Sequence, residues 1–198
     1  EHSLQLNGQT YVAKNWVIAT GSSPVIPPIP GLAETPHLTN REIFHLDRLP
    51  SSMIILGGGP IGVEMGQAFN RLGTRVTIVD RANQILGKED RDMADAVKDV
   101  MAAEGVVFYL EAAIESVADI GHRKTVAIKT VDGQRLDLEA ESILVAMGRG
   151  ANARGLGLEK IGVEHDRRGI KVDRRLRTSQ KHIYAAGDVA GGYQFTHA

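Results

Sequence analysis

The chain has 198 residues, 42% hydrophobic and 24% charged, with a formal net charge of −1 and no cysteine. Interspersed charges of near-zero sum give no footprint for nucleic acid or an anionic membrane. No apolar run is long enough to span a bilayer, and the opening "EHSLQLNGQT" has no basic segment before an apolar core. The absence of cysteine excludes disulfides, thiolate zinc sites and a thiol nucleophile within these residues. What remains is a soluble, globular, glycine-rich α/β composition, with a cytoplasmic setting as the default expectation. The start without methionine and the close on "GGYQFTHA" read as cut ends, so the chain is expected to be a piece of a longer protein.

In chain order, residues 4 to 8 and 11 to 19 predict two strands around an Asn-Gly turn, "LQLNGQTYVAKNWVIAT". "GSSPVIPPIPG" is proline-rich and predicts a linker. "TNREIFHLDRLPSS" predicts a short helix capped by Thr39 or Asn40 and ending near Pro50. "MIILGGG" is a buried-strand run ending in glycines. "PIGVEMGQAFNRLG" is a helix opening at Pro60 and closing at Gly73, and "RVTIVD" is the next strand. "EDRDMADAVKDVMAAEG" is amphipathic, with Met93, Ala96, Val97, Val100 and Met101 as its apolar face. "VVFYLEAAIESVADI", "KTVAIKTVDG" and "RLDLEAESILVAMG" predict strands with a hairpin turn at Asp132-Gly133. Beyond residue 150 the chain is loop-rich until a last strand in "HIYAAGD". The order β-α-β-α-β, then a meander, then a strand, predicts a doubly wound, Rossmann-like parallel sheet with a β-meander.

Gly57, Gly59 and Gly62 form G-x-G-x-x-G between a predicted strand and a predicted helix. Gly57 permits the tight turn, Gly59 lets backbone approach a pyrophosphate, and Gly62 lets helix and strand pack closely. Free N–H groups at the helix start, around Pro60 and Ile61, and the positive dipole end favour an anion there. Gly66 repeats the small residue on the same helix face. Asp80, at the end of the next strand, can accept hydrogen bonds from adenosine ribose hydroxyls and repel a 2′-phosphate, which points to NAD ahead of NADP. Arg81 follows it and could contact such a phosphate. Glu64 is read either as an acid favoured by the helix dipole or as a group over the nicotinamide end.

Four stretches, "ATGSSPVIPPIPG", "LGGGPIGVEMGQAFNRLGTRVTIVD", "ILVAMGRGANARGLGLEKIGVE" and "IYAAGDVAGGYQFTHA", resemble the FAD-dependent pyridine nucleotide-disulfide oxidoreductases in order and spacing. The likeness is to the dihydrolipoamide dehydrogenase, mercuric reductase and glutathione reductase group. It implies an NAD(P) domain inserted within an FAD domain. Residues 1–40 would end the first FAD segment, 41–149 would form the NAD(P)-binding domain, and 150–198 would return to the FAD domain. The resemblance places Thr20, Gly21, Asp188, Gln194, Phe195, Thr196 and His197 beside FAD, and Glu64, Ile114 and Gly148 along the NAD site. Two departures stand out: Ala151 where the family usually has proline, and Pro60 where glutathione reductases hold a flavin-gating tyrosine.

The implied parent is an enzyme passing a hydride from NAD(P)H to FAD and on to a small disulfide or a metal-ion substrate, or the reverse. It would be a homodimer through a domain outside this chain. Its first FAD glycine motif and redox cysteines would precede residue 1, so no catalytic residue is assigned here and the piece alone is expected to be inactive. The rivals are an NADH oxidase or coenzyme A-disulfide reductase type of flavoenzyme using one cysteine, and a non-catalytic NADH-binding module. No carboxylate or cysteine stands in ligand register with His182 or His197, so no metal site is assigned. "DRRLR" at 173–177 reads as a solvated edge, Trp16 as packing, and Ser22 and Ser23 as ordinary turn serines.

Overall fold

The computed structural model describes residues 3–192. Its strands are β1 (Ser3–Leu6), β2 (Gln9–Val12), β3 (Trp16–Ile18), β4 (Ser22–Pro24), β5 (Ser52–Leu56), β6 (Arg75–Val79), β7 (Val107–Tyr109), β8 (Ala113–Asp119), β9 (Lys124–Lys129), β10 (Arg135–Ala140), β11 (Ser142–Val145), β12 (Arg149–Ala151), β13 (His165–Asp166), β14 (Gly169–Ile170) and β15 (Ile183–Ala185). Its α-helices are α1 (Pro60–Arg71) and α2 (Arg91–Ala103). The chain divides into two compact units: Pro24–Gly148, and the residues up to Ser23 together with those from Arg149 on.

The unit Pro24–Gly148 is built on a parallel sheet in the order β11-β5-β6-β7. Its strands are near-continuous apolar runs because both faces are covered. Alternation along the strands sends Met53, Ile55, Val76, Ile78 and Leu144 to one side, where Val63 and Phe69 of α1 and Ala94 and Met101 of α2 meet them. Ile54, Leu56, Val79, Ile143 and Val145 face the other side, against Val117, Val126 and Ile128 of the antiparallel meander β8-β9-β10. Each fully buried Val, Leu, Ile or Met side chain among these stabilises the unit by about 1.5–3 kcal/mol relative to exposure. The Rossmann-like α/β class is therefore present, with helices on one face and the meander on the other.

Three local expectations change. The proline-rich segment is not a free linker: Val117 N–H donates to Pro30 O at 2.8 Å, and Leu32 is fully buried in the meander-side core. Proline gives up its donor but keeps its carbonyl, so it can still receive a bond at a sheet edge. Leu38 also donates to Ile143 O and accepts from Val145 N–H, both at 2.8 Å, so residues 24–40 belong to this unit and not with residues 1–23. The α2 face is rotated: Ala94, Val97 and Met101 face the core, whereas Met93 and Val100 are 63% and 51% exposed. The helix before Pro50 is a single 3-10 turn, Glu42–His45, tied by Glu42 accepting from the Thr39 backbone N–H at 2.8 Å and hydroxyl at 2.5 Å.

In the other unit, β1 and β2 form the expected hairpin, with Asn7 and Gly8 both at positive φ. Residues 11–19 are not one strand: β3 separates from β2 and pairs in parallel with β15. Trp16 packs against the core of Leu158, Val163, Ile170, Ile183 and Val189. Ala151 ends β12, so the position that departs from the family pattern lies in extended backbone. Among the described residues no helix is long and apolar enough to cross a membrane.

At the lower end of the parallel sheet, Glu141 accepts from Ser51 N–H and Ser51 Oγ–H, both at 2.9 Å, and pairs with Arg48. The Ser51 backbone bond, then Arg48 and the Ser51 hydroxyl, hold its carboxyl down from the ordinary 4.5 to about 2. Because the folded pKa is depressed, this stabilisation is complete above pH 4.5 and is lost as pH falls toward 2. Glu141→Gln should lower stability at neutral pH by about 1–3 kcal/mol. It should also flatten the acid limb between those pH values in chemical denaturation; an unchanged acid limb would contradict this role.

Candidate functional site

The glycine turn lies where β5 ends and α1 begins. Gly57 has φ +108°, and an added Cβ would sit 2.4 Å from Ala146 O, just past the end of β11. A Cβ on Gly62 would sit 1.9 Å from Gly57 O. Both glycines are thus demanded by the fold itself. Gly59 is different: at φ −75° any residue is allowed, and a Cβ there would meet no protein atom within 4 Å. The turn also sits at the carboxyl end of the sheet between β5 and β11, where the strand order reverses direction from β5, the position where open α/β sheets bind ligands.

Helix α1 has no side-chain cap. Val63 N–H reaches Gly59 O at 2.9 Å and Pro60 has no N–H, so Ile61 and Gly62 carry the free donors of the first turn. Gly66 lets the helix lie against Ile78 and Ile55, with a virtual Cβ only 3.0 and 3.3 Å from their Cδ1 atoms.

Asp80 is tied to this turn. Its Oδ2 accepts from Gly58 N–H at 2.5 Å and its Oδ1 from Ala82 N–H at 2.7 Å. Asp80, expected from the sequence to face a ribose, therefore also fastens the loop. Leu86, at φ +51°, donates to Gly58 O at 2.8 Å from the same side. Arg81 is exposed and has no ion pair among the described residues, and Glu64 is an exposed residue of α1. Gly148, exposed and at φ +119°, follows the Ala146-Met147 segment that abuts Gly57. Ile114, at the bulge of β8, packs against the buried cluster that includes Leu56 and Val79, and Ala112 N–H donates to Asp80 O at 3.0 Å. The structure therefore gathers Gly57, Gly59, Pro60, Ile61, Gly62 and Asp80 around one turn, with Gly148 beside it.

In the other unit, Thr20, Gly21 and Asp188 are also brought into order. Asn152 donates to Thr20 O, accepts from Ser23 Oγ–H, offers its carbonyl to Thr20 Oγ–H, and its N–H reaches Gly21 O, each at 2.9 Å. Asp188, in the 3-10 turn Gly187–Ala190, does not cap that turn. Its Oδ2 instead accepts from the Ser22 hydroxyl and lies 3.6 Å from Arg149 Nε. Ser22 is 8% exposed and is not an ordinary turn serine. Arg149 and Asn152 are not marked by any local motif; their signal is the segment "GRGAN", whose side-chain hydrogen-bond partners lie more than a hundred residues away. Gln194, Phe195, Thr196 and His197 fall outside the described residues. No group of three or more His, Asp or Glu among the described residues could hold a metal ion.

The sequence pattern of the pyridine nucleotide-disulphide oxidoreductases matches residues 1–198. The chain belongs to that family. It is 36% identical to a mercuric reductase of Bacillus cereus over 198 residues, covering all of this chain and 31% of the relative. It is 37% identical to a dihydrolipoyl dehydrogenase of Acholeplasma laidlawii over 200 residues, covering 99% of this chain and 57% of that one. Among solved structures, the HOCl-induced flavoprotein disulfide reductase RclA from Escherichia coli superimposes with a TM-score of 0.89 at 35% identity, over 99% of this chain and 45% of that one. The chain thus spans between about a third and just over half of these relatives.

The three motif glycines separate cleanly by what they do for the fold. Gly62→Ala should destabilise the protein by about 3 kcal/mol or more, because backbone must move to admit the methyl. Gly59→Ala should stay within about 1 kcal/mol of wild type. Thermal denaturation of the two variants checks this, and equal losses would contradict the division.

Proposed function

We propose that the unit Pro24–Gly148 binds NAD(H) at the glycine turn. The other unit contributes part of an FAD site, and the parent protein is a flavoprotein disulfide oxidoreductase. The observation that carries this is Gly59, a position the fold leaves free and where a side chain would fill only the space before the helix start. A pyrophosphate there would receive the Ile61 and Gly62 N–H groups and the positive end of α1.

Asp80 spends one acceptor site of each oxygen on backbone N–H groups. A carboxylate oxygen has a second site, so the same group can also hold ribose hydroxyls, which favours NAD over NADP. Arg81, Glu64, Ile114 and Gly148 complete the proposed nicotinamide-nucleotide site.

Thr20, Gly21 and Asp188 are assigned to the FAD side, with residues 194–197 continuing it. The residues present fit that group in one specific respect: Asp188 Oδ1 makes no hydrogen bond among the described residues and can accept from a polyol hydroxyl. Hydride transfer itself is the chemistry that bound nicotinamide and flavin would supply. The chain's own part is to bind and orient them. The names of the relatives point to a small disulfide or a metal ion as the parent's substrate, and the reading includes a cytoplasmic homodimer joined outside this chain.

Calorimetric titration tests the site. Asp80→Ala should weaken NADH by about 10- to 100-fold, the size of one or two hydrogen bonds to a charged group, and NADPH by less. Gly59→Val should abolish binding of both. Equal losses for the two nucleotides on Asp80→Ala would remove the ribose role, and unchanged affinity in Gly59→Val would remove the turn from the site.

A further inference from the structure

Ser22, Arg149 and Asp188 come from three separate stretches of the chain and meet in one directed chain of hydrogen bonds. Arg149 Nε–H donates to Ser22 Oγ at 2.6 Å, and Arg149 Nη2–H donates to the Ser22 carbonyl at 2.8 Å. With its acceptor side occupied by the guanidinium, the Ser22 hydroxyl is turned so that its proton goes to Asp188 Oδ2. The hydroxyl is buried, so neither bond is easily replaced by water. Arg149 and Asp188 are themselves only 20% and 27% exposed, and the 3.6 Å between Nε and Oδ2 adds direct attraction between the charges.

One oxygen of Asp188 is therefore anchored on two sides, while Oδ1 is left without a partner among the described residues. A half-buried ion pair of this kind contributes little net stability. What it does supply is a fixed carboxylate plane. Backbone freedom around Asp188 makes such an anchor necessary: Gly187 and Gly191 flank it at φ +74° and +75°, in a turn with no side-chain cap.

We propose that Ser22 and Arg149 are positioning residues that aim the free oxygen of Asp188 at a ribityl hydroxyl of FAD. Arg149 acts through Ser22 and does not itself touch the cofactor. This rests on the assignment of Asp188 to the flavin side made above. Arginine is suited to the task because one planar fork reaches both the hydroxyl and the carbonyl of a single residue, which lysine cannot do.

The test is a double-mutant cycle on the flavin-loaded full-length protein, reading the FAD dissociation constant from recovery of free-flavin fluorescence, with the visible flavin spectrum recorded alongside. Asp188→Asn should weaken FAD about tenfold, the effect of one charge-assisted hydrogen bond. Ser22→Ala and Arg149→Gln should each weaken it by a similar factor. Neither should add a further loss in the Asp188→Asn background, and Ser22→Thr, which keeps the hydroxyl, should restore most of the affinity of Ser22→Ala. Arg149→Gln provides the same comparison if Ser22→Ala does not fold.

Losses from Ser22 or Arg149 that persist undiminished in the Asp188→Asn background, or no loss from either, would overturn the positioning role while leaving Asp188 on the flavin side. No loss from Asp188→Asn would remove both.

Discussion

The contact on which this molecule most depends is between two glycines. Gly62 on α1 lies so close to the carbonyl of Gly57 that not even a methyl group fits between them. That approach brings α1 onto β5 and β6, where Gly66 continues it against Ile55 and Ile78. It also points the first turn of the helix across the carboxyl end of the sheet. Gly57 in turn presses against the Ala146 carbonyl, so the strand on the far side of the reversal in strand order is part of the same junction. The helix start, with its free N–H groups, is held by packing and not by a capping side chain.

Asp80 links this packing to chemistry. Its two oxygens fasten Gly58 and Ala82, so the loop after β5 and the loop after β6 are one connected piece of backbone. In the proposed site the residue that orders the turn is also the one that would receive the ribose, which would couple loop geometry to nucleotide preference. The second unit uses the same device: Asn152 organises Thr20, Gly21 and Ser23, and Arg149 with Ser22 organises Asp188. In both places a polar side chain distant in sequence fixes a short glycine-containing loop that has no regular structure of its own.

What was legible in the sequence follows from range. The glycine turn, the Asn7-Gly8 and Asp132-Gly133 hairpins and α1 are specified by residues next to one another, through positive φ, alternation and helix-start chemistry. The apolar face of α2 was misjudged because Met93 and Val100 are hydrophobic without being buried, and hydrophobicity alone does not say which side of a helix meets the sheet. The proline-rich segment looked like a linker because prolines cannot donate, yet carbonyl acceptance at Pro30 and burial of Leu32 bind it to the meander. Arg149, Asn152 and Ser22 were hidden for a different reason. Their hydrogen-bond partners lie over a hundred residues away, and no local pattern marks a serine that will be buried beside an aspartate.

The central claim is that the turn after β5 is where a nicotinamide dinucleotide meets this chain. The most direct measurement is an amide-resolved NMR titration with NADH. The account predicts the largest shifts at Gly58, Gly59, Ile61 and Gly62 and at residues 80–82. Shifts confined to residues 20–22 and 187–190, with the glycine turn unmoved, would contradict it.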